Sequence, residues 1–480
     1  MLLRQTLLYI PAQLIGPLAL FASAVLWTHF LPAHEYGALM LTFAFQELAS
    51  LMALAWWSHY TQRFAVSLTG SEARHDFERT DLFVLALSAP VQALGILAML
   101  WFTGLANSWQ LAAAAVLYTI SRSALTHYGE RARTLGLTAA YTMSQSIGPV
   151  LGFALGHAAI LHWGAEASRP LYGFAAAQCL ALLIVWRMMG IMMRTARPSR
   201  ALLKQAIGYG GPLLVSGGAG WISMNGIRPI VERLADAAAV GLLSVGWGLG
   251  QRLMSVAAML VTAAAFPLAV KRLAAGTVED SLDQISRNGV LLAAVLFPAA
   301  AGMILISPTL IPLLVAEPFR AVTLQILPIA TLAAALRNMR VHFPDQAFLI
   351  RQDTTAIFWF SMIEAAVTAA GCLAGYKSAG IAGAAIGCLA GTAFGALLVF
   401  AWAVAKLGLK LPWGHFLRIA AATAAMAALL GSMPWQPTLW SVAQQVCLGG
   451  LVYAAAMAAL HWGEVSRLIR RRPRSLPRGV

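Results

Sequence analysis

Apolar residues run along this chain in long blocks rather than in alternation. Fourteen blocks are long enough to cross about 30 Å of hydrocarbon as helices of about 20 residues. They lie near 8–30, 39–58, 82–103, 109–125, 139–161, 170–188, 206–227, 241–264, 289–314, 322–339, 356–375, 380–404, 415–432 and 438–461. Each is predicted as a helix, because a backbone polar group in lipid must find its partner within its own segment. The period-two alternation that a β-barrel needs is missing. The first block is too long for the apolar region of a signal peptide and no small-residue cleavage site follows it, so it is expected to stay in the mature protein.

The blocks also repeat. Tyr9-Ile-Pro-Ala-Gln-Leu-Ile-Gly-Pro opens the first, and Tyr209-Gly-Gly-Pro-Leu-Leu-Val-Ser-Gly-Gly opens the seventh, about 200 residues later. A short Gly-led stretch follows each: Glu35-Tyr36-Gly37-Ala38-Leu39, then Ala239-Val240-Gly241-Leu242-Leu243. Arg79 precedes Pro90 by 11 residues, and Arg287 precedes Pro298 by 11. Gly/Pro-interrupted spans at matching places in two halves point to a transporter; the plainer reading is that membrane helices are simply richer in Gly and Pro. An even number of spans per repeat makes the repeats parallel, related by an axis along the membrane normal. The predicted fold is an all-α polytopic membrane protein of about 14 transmembrane helices, in two six-helix lobes plus two C-terminal helices. The lobes are 1–198 and 199–405, and 406–480 holds the last two spans and a basic tail. Pro11, Gly16 and Pro17 in the first span, and Gly211, Pro212, Gly217 and Gly218 in the seventh, are the predicted hinges.

Charge adds an orientation. Of 33 Lys and Arg in 480 residues, twenty-seven fall on alternate segments that are cytoplasmic if the N-terminus is inside. Five (Arg169, Arg228, Arg233, Arg320, Lys377) fall on outer loops, and Arg252 lies within a span. Both termini are therefore expected in the cytoplasm of a multi-pass membrane protein. The formal charge of +15 needs no nucleic acid. The tail from Arg467 to Arg478 is expected on anionic lipid headgroups. The longest inner connectors, 60–81 and 265–288, mix both charges and read as solvated loops. Cys179, Cys372, Cys388 and Cys447 sit singly in apolar blocks and read as small buried hydrophobes. No metal and no cofactor is predicted.

Leu31-Pro32-Ala33-His34-Glu35-Tyr36-Gly37, followed by a Gln/Glu-bearing helix, resembles the opening of the bacterial polysaccharide transporter family. That family holds O-antigen and exopolysaccharide repeat-unit flippases of the multidrug/oligosaccharidyl-lipid/polysaccharide (MOP) superfamily. Gly208-Tyr209-Gly210-Gly211-Pro212 through Ala239 to Val245 is similar to the start of its second lobe, and Phe266-Pro267 and Phe348-Leu349-Ile350-Arg351 have counterparts there. Members often carry Asp-Arg near the end of the seventh span. This chain has Arg228-Pro229 and then Glu232-Arg233, so the role of that aspartate is left open. The resemblance implies a flippase for an undecaprenyl-diphosphate-linked oligosaccharide, with spans 13 and 14 forming a groove for the lipid tail.

A diphosphate crossing lipid needs a wet cavity with fixed positive charge, because uncompensated charge in a low dielectric is very costly. Arginine suits the task, since its planar fork binds phosphate oxygens in pairs. Arg252 lies 11 residues beyond Gly241, about 16 Å along a helix, and Glu47 lies 10 beyond Gly37 at similar depth. These two are the leading candidates: Arg252 for the diphosphate, Glu47 as its counter-ion or a proton carrier. A static ion pair is the plainer reading. Arg122 and Arg337 (with Arg340 three residues on) either greet the headgroup or snorkel to the interface. Glu364 lies within the eleventh span. Asn225, Gln145, Gln178 and Gln46 offer amides for sugar hydroxyls, though such amides more often bond neighbouring helices. Trp27, Trp101, Trp109, Trp163 and Trp462 fall near span ends and read as interfacial anchors.

The leading function is a transporter, not an enzyme, that moves a lipid-linked oligosaccharide from the cytoplasmic to the periplasmic leaflet by alternating access. A proton or sodium ion is the candidate driving ion, and polysaccharide assembly proteins are candidate partners. The alternatives are a cation-coupled drug or metabolite exporter of the same superfamily and a membrane polysaccharide polymerase or ligase. The exporter calls for a carboxylate-rich site in one lobe, where Glu47 is the sole convincing acid of the first. The enzyme calls for clustered catalytic groups on outer loops, where only His34, His162 and Arg169 are scattered.

Overall fold

The computed structural model describes residues 15–65, 71–105, 108–191 and 198–463. Pro11, Arg4, Arg194, Arg197 and the tail from Arg467 to Arg478 lie outside the described residues. Among those described, the chain forms fourteen long helices and no strand, and ten spans, counting Thr354–Leu407 once, are long and apolar enough to cross a membrane. The helices are α1 Ile15–His29, α2 Ala33–Phe64, α3 Ser71–Phe102, α4 Trp109–Thr134, α5 Thr138–Trp163, α6 Ser168–Met189 and α7 Arg200–Asn225. After a short helix, Ile227–Leu234, come α8 Ala237–Ala275, α9 Val278–Leu314 and α10 Glu317–Val341. A second short helix, Pro344–Arg351, leads into Thr354–Leu407, then α13 Trp413–Gly431 and α14 Leu439–Leu460. Thr354–Leu407 is two helices, because Ala379 and Gly380 leave helical geometry. Gly380 has φ +59° and ψ −142°, a conformation open only to glycine. The halves are α11, 354–378, and α12, 381–407. Each predicted apolar block falls on one of these helices.

Local signals set the ends. Ser108, Ser199, Asp353 and Thr438 each accept a backbone N–H three residues on, capping α4, α7, α11 and α14. Thr277 and Asp280 cap each other reciprocally at the start of α9. The connectors expected at 60–81 and 265–288 are therefore mostly helix. α2 runs to Phe64 before α3 starts at Ser71, and only two residues separate α8 from α9. Their Glu, Arg, Lys and Ala are strong helix formers, and the helices continue past the apolar blocks.

By packing, the chain groups into two compact units. The first is Met1–Gly246 with Val315–Thr323 and Ser361–Gly391; the second is Trp247–Leu314, Leu324–Phe360 and Thr392–Val480. This grouping cuts through α8, α10, α11 and α12, whereas the division at 198 and 405 follows the sequence repeat.

In the first unit, α4, α5 and α6 enclose Leu125, Tyr128, Tyr141 and Val185. α7 lies along α2: a β-carbon on Gly210 would overlap the Trp56 carbonyl, and one on Gly217 would stand 2.8 Å from the Leu51 side chain. Trp221 Nε1 donates to the Ala44 carbonyl, and Tyr60 donates to Gln205. α11 and α12 meet through Gly371 on Gly387 and Gly375 on Gly383, so close that a β-carbon on any of them would strike backbone. At the end of the helices opposite the arginine-rich one, α2 and α8 cross. A β-carbon on Gly37 would overlap the Ala237 carbonyl, and one on Gly241 the Ala33 carbonyl. Tyr36 stacks edge-on against Phe319, and Thr28 accepts the Ala316 N–H, so α1 and the start of α10 join the same end.

In the second unit, Leu282, Leu292, Leu296, Phe343, Phe348, Val399 and Ile419 form the core, with Phe343 seated on Gly289. α14 is tied to α9 by Gln445 donating to Thr309 and Tyr453 donating to the Ala294 carbonyl.

Two composition-based expectations change. Trp27 is fully buried against Phe153 and Phe174, unlike Trp101, Trp109, Trp163 and Trp462, which are exposed. Large α5 and α6 side chains cover it, so it is core rather than anchor. Cys372 and Cys388 are buried, but Cys179 and Cys447 are exposed, as apolar side chains in lipid are free to be.

Candidate functional site

Two polar nodes lie in the first unit. The upper one joins α2, α7, the short helix after it and α8. Asn225 Nδ2 donates to Glu47 Oε2 at 2.9 Å. Arg228 donates through Nη1 to Asn225 Oδ1 and through Nε to Ser244 Oγ at 3.3 Å. The amide of Asn225 thus gives to the acid and takes from the base. Ser244 lies one turn beyond Gly241, so the guanidinium is anchored just below the α2–α8 crossing. The sequence reading named Glu47 and Asn225 separately, and the structure brings them together. It missed Arg228, placing it on an outer loop; the signal was the Arg228-Pro229 departure from the family pattern.

The lower node, towards the arginine-rich end, was not foreseen. Asp81 is fully buried and accepts Trp57 Nε1 at 2.6 Å, His127 Nε2 at 2.8 Å and Arg131 Nη1 at 2.8 Å. Ionised carboxylate only accepts, so the Nε2 of His127 carries its proton and, in the neutral ring, Nδ1 is the lone pair. Ser58 Oγ lies 2.8 Å from that Nδ1 and donates to it. The Arg131 guanidinium also stacks on Phe77 and Tyr128 and lies 3.8 Å from Glu78. Asp81 was read as part of a solvated connector because it sits at the edge of the apolar block. Its histidine and arginine, four apart, lie on one face of α4. Glu47 is consequently not the sole intramembrane acid of the first lobe.

The order Ser58–His127–Asp81 resembles a nucleophilic relay. Ser58 lies inside a helix, however, and the backbone N–H groups around it are engaged there, leaving no oxyanion donors beside it.

The remaining candidates sit on several helices. Arg252 is half-buried on the part of α8 assigned to the second unit, whereas Glu47 belongs to the first. Arg122 is half-buried on α4. Gln145 bonds its neighbour Ser144 weakly at 3.5 Å, and its backbone carbonyl faces Gly16 on α1. Gln46 donates to Ser123 and Gln178 accepts from Ser121, so these amides join helices. Arg340 is buried and paired with Asp345 at 3.4 Å; it does not snorkel, because the helix Pro344–Arg351 folds back beneath it with a counter-ion. Arg337 is half-buried on the same helix. Glu364 is buried on α11, one turn before Thr368, which packs on Gly391. Among the described residues no cluster of three or more His, Cys, Asp or Glu is placed to hold a metal.

The expected break in α7 is absent in this conformation: the helix runs unbroken through Gly211, Pro212, Gly217 and Gly218. Gly16 and Gly217 instead allow close approach, the first to α5 and the second to Leu51, while Pro17 is exposed. The irregular winding lies across from them in α2, where Leu51–Ala55 is π-helical. Such a segment inside a helix frequently marks a functional site.

These features define a multi-pass helical membrane protein. No family model and no curated protein matches the chain. Solved structures do. The lipid II flippase MurJ in an inward closed conformation superposes with TM-score 0.73 at 15% identity, over 96% of this chain and 100% of its own. An inward-facing multidrug resistance MATE family transporter of the MOP superfamily gives 0.63 at 16%, over 82% and 95%. A MOP superfamily transporter from Pyrococcus furiosus gives 0.54 at 15%, over 85% and 95%. The fold is the one shared by these MOP superfamily transporters.

Proposed function

We propose that the protein is a flippase that carries an undecaprenyl-diphosphate-linked oligosaccharide from the cytoplasmic to the periplasmic leaflet of a bacterial inner membrane. The observation that carries this reading is the extent of the likeness. The lipid II flippase covers 96% of the chain, against 82% for the MATE transporter. A lipid-linked substrate is what the flippase's name records. The two lobes, 1–198 and 199–405, would rock about their pliable spans, and α13 and α14 would shelter the lipid tail. Arg252 supplies fixed positive charge to the diphosphate, and the Glu47–Asn225–Arg228 node reads the arrangement of α2, α7 and α8. Both termini are cytoplasmic in this reading, as the charge count favours.

The test is a radiolabelled sugar pulse in cells lacking the gene. Single lipid-linked repeat units should accumulate on the inner leaflet, and wild type but not Arg252→Gln should restore export at equal expression. Units that reach the outer side without the protein would remove the flippase reading and leave the polysaccharide polymerase or ligase, or the drug or metabolite exporter.

A further inference from the structure

We propose that His127 and Ser58 form a proton-binding switch that sets the winding of α2 at Leu51–Ala55. It bears on the candidate driving ion of the proposed function, but its test needs no substrate.

The geometry leaves one place for a proton. Asp81 is saturated by Trp57, His127 and Arg131, and its charge is matched by the buried guanidinium. Of the side chains that meet at Asp81, the imidazole alone keeps a basic lone pair, on Nδ1. Its Nε2 is committed to Asp81, so an added proton goes to Nδ1, which faces Ser58. His127 is buried and Ser58 is half-buried, so the hydroxyl is the step between the ring and the surface. The other titratable groups of the node are Glu78 of α3, 3.8 Å from Arg131, and Arg131 and Tyr128 of α4, the Tyr128 ring lying 5.1 Å from the imidazole, while His59 beside Ser58 in α2 is exposed.

The consequence follows from donor and acceptor roles. With a neutral ring, the Ser58 hydroxyl donates to Nδ1. Once Nδ1 carries a proton it donates, and Ser58 Oγ must accept and turn its own hydrogen away. The acceptor one helical turn back is the carbonyl of Leu54, and serine back-bonding of this kind bends helices. Leu54 lies within the π-helical segment Leu51–Ala55. The same segment faces α7, through Gly217 on Leu51 and Gly218 on Met52. Nothing but the proton is transferred: it arrives from solvent past Ser58 and resides on Nδ1.

Hydrogen exchange by mass spectrometry, on the full chain in nanodiscs without substrate, reads this directly. After correction for intrinsic chemistry, amides of Leu51–Tyr60 in wild type should exchange at least about 5-fold faster at about pH 5.5 than at about pH 8. Ser58→Ala keeps the Asp81 ion pair, so the fold survives, and it should abolish the difference; His127→Gln should do the same. A wild type without the difference, or a difference that persists in Ser58→Ala, overturns the switch. So does a Ser58→Ala change that is equal at both pH values, since that marks a purely structural hydroxyl. None of these outcomes touches the flippase assay.

Discussion

Gly37 and Gly241 meet backbone to backbone. A β-carbon on the first would stand 2.9 Å from the amide nitrogen of the second, and one on the second 3.1 Å from the amide nitrogen of the first. The residues that the sequence repeat equates are therefore partners in space, related by a local two-fold. Glycine in a helix interior costs about 1 kcal/mol relative to alanine, which the close approach of two helices offsets.

Valine at Gly37 or Gly241 must push α2 and α8 apart. Overpacking of this kind costs about 1–3 kcal/mol, so both variants should unfold at a lower temperature than wild type and export less at normal expression. Gly248→Ala on the same helix, where a β-carbon meets nothing within 4 Å, should leave export unchanged. The complementation assay with labelled precursor distinguishes the two.

Removing Asp81 strands a buried cation. Asp81→Ala should lower stability by about 3–5 kcal/mol, read as a lower unfolding temperature in detergent. Replacing both partners, Asp81→Leu with Arg131→Met, should recover much of that loss, because no unpaired charge stays behind. A double variant as unstable as the sum of the singles would show that the ion pair is not the unit that matters.

Asn225→Leu deprives both Glu47 and Arg228 of the amide between them. Glu47 is exposed and Arg228 half-buried, so the expected cost is that of the lost hydrogen bonds to charged groups, about 1–3 kcal/mol. Arg228→Lys should behave almost as poorly as Arg228→Leu, since an ammonium cannot reach Asn225 and Ser244 with a fixed fork. Thermal unfolding of the three purified variants tests this ordering.

Glu232, on the short helix outside the membrane spans, has its carboxyl pushed above the ordinary range by burial, with Asp236 adding to the rise and Arg233 opposing it. A raised carboxyl pKa means that the charged form is disfavoured in the folded state. Stability is therefore lost as pH rises through the folded pKa and regained as pH falls below it. Glu232→Gln should raise the unfolding temperature at neutral pH, and the gain should shrink as the solution is acidified. A constant gain across pH would point to packing rather than charge.

Helix positions were legible because lipid imposes one periodicity on long apolar blocks, and the parallel repeat was legible in Gly37 and Gly241. The α11–α12 boundary was legible too, since Tyr376, Lys377 and Ser378 separate two apolar blocks just before Ala379 and Gly380 break the helix. What the sequence concealed were polar residues whose partners lie far along the chain. Asp81 and His127 are 46 residues apart and Glu47 and Asn225 178 apart, so no local pattern pairs them. Trp27 misled for a related reason, since an indole near a span end looks the same whether it faces headgroups or Phe174. Gly210 and Gly217 of α7 stand against Trp56 and Leu51 of α2, contacts that no local pattern announces.

Along α11 and α12 no cushion of side chains separates the main chains at Gly371, Gly375, Gly383 and Gly387. Sliding one past the other would drive carbonyls into α-carbons, so this pair resists shear as a welded strut does. Any rearrangement of these two helices must turn them together, with the bending left to their free ends.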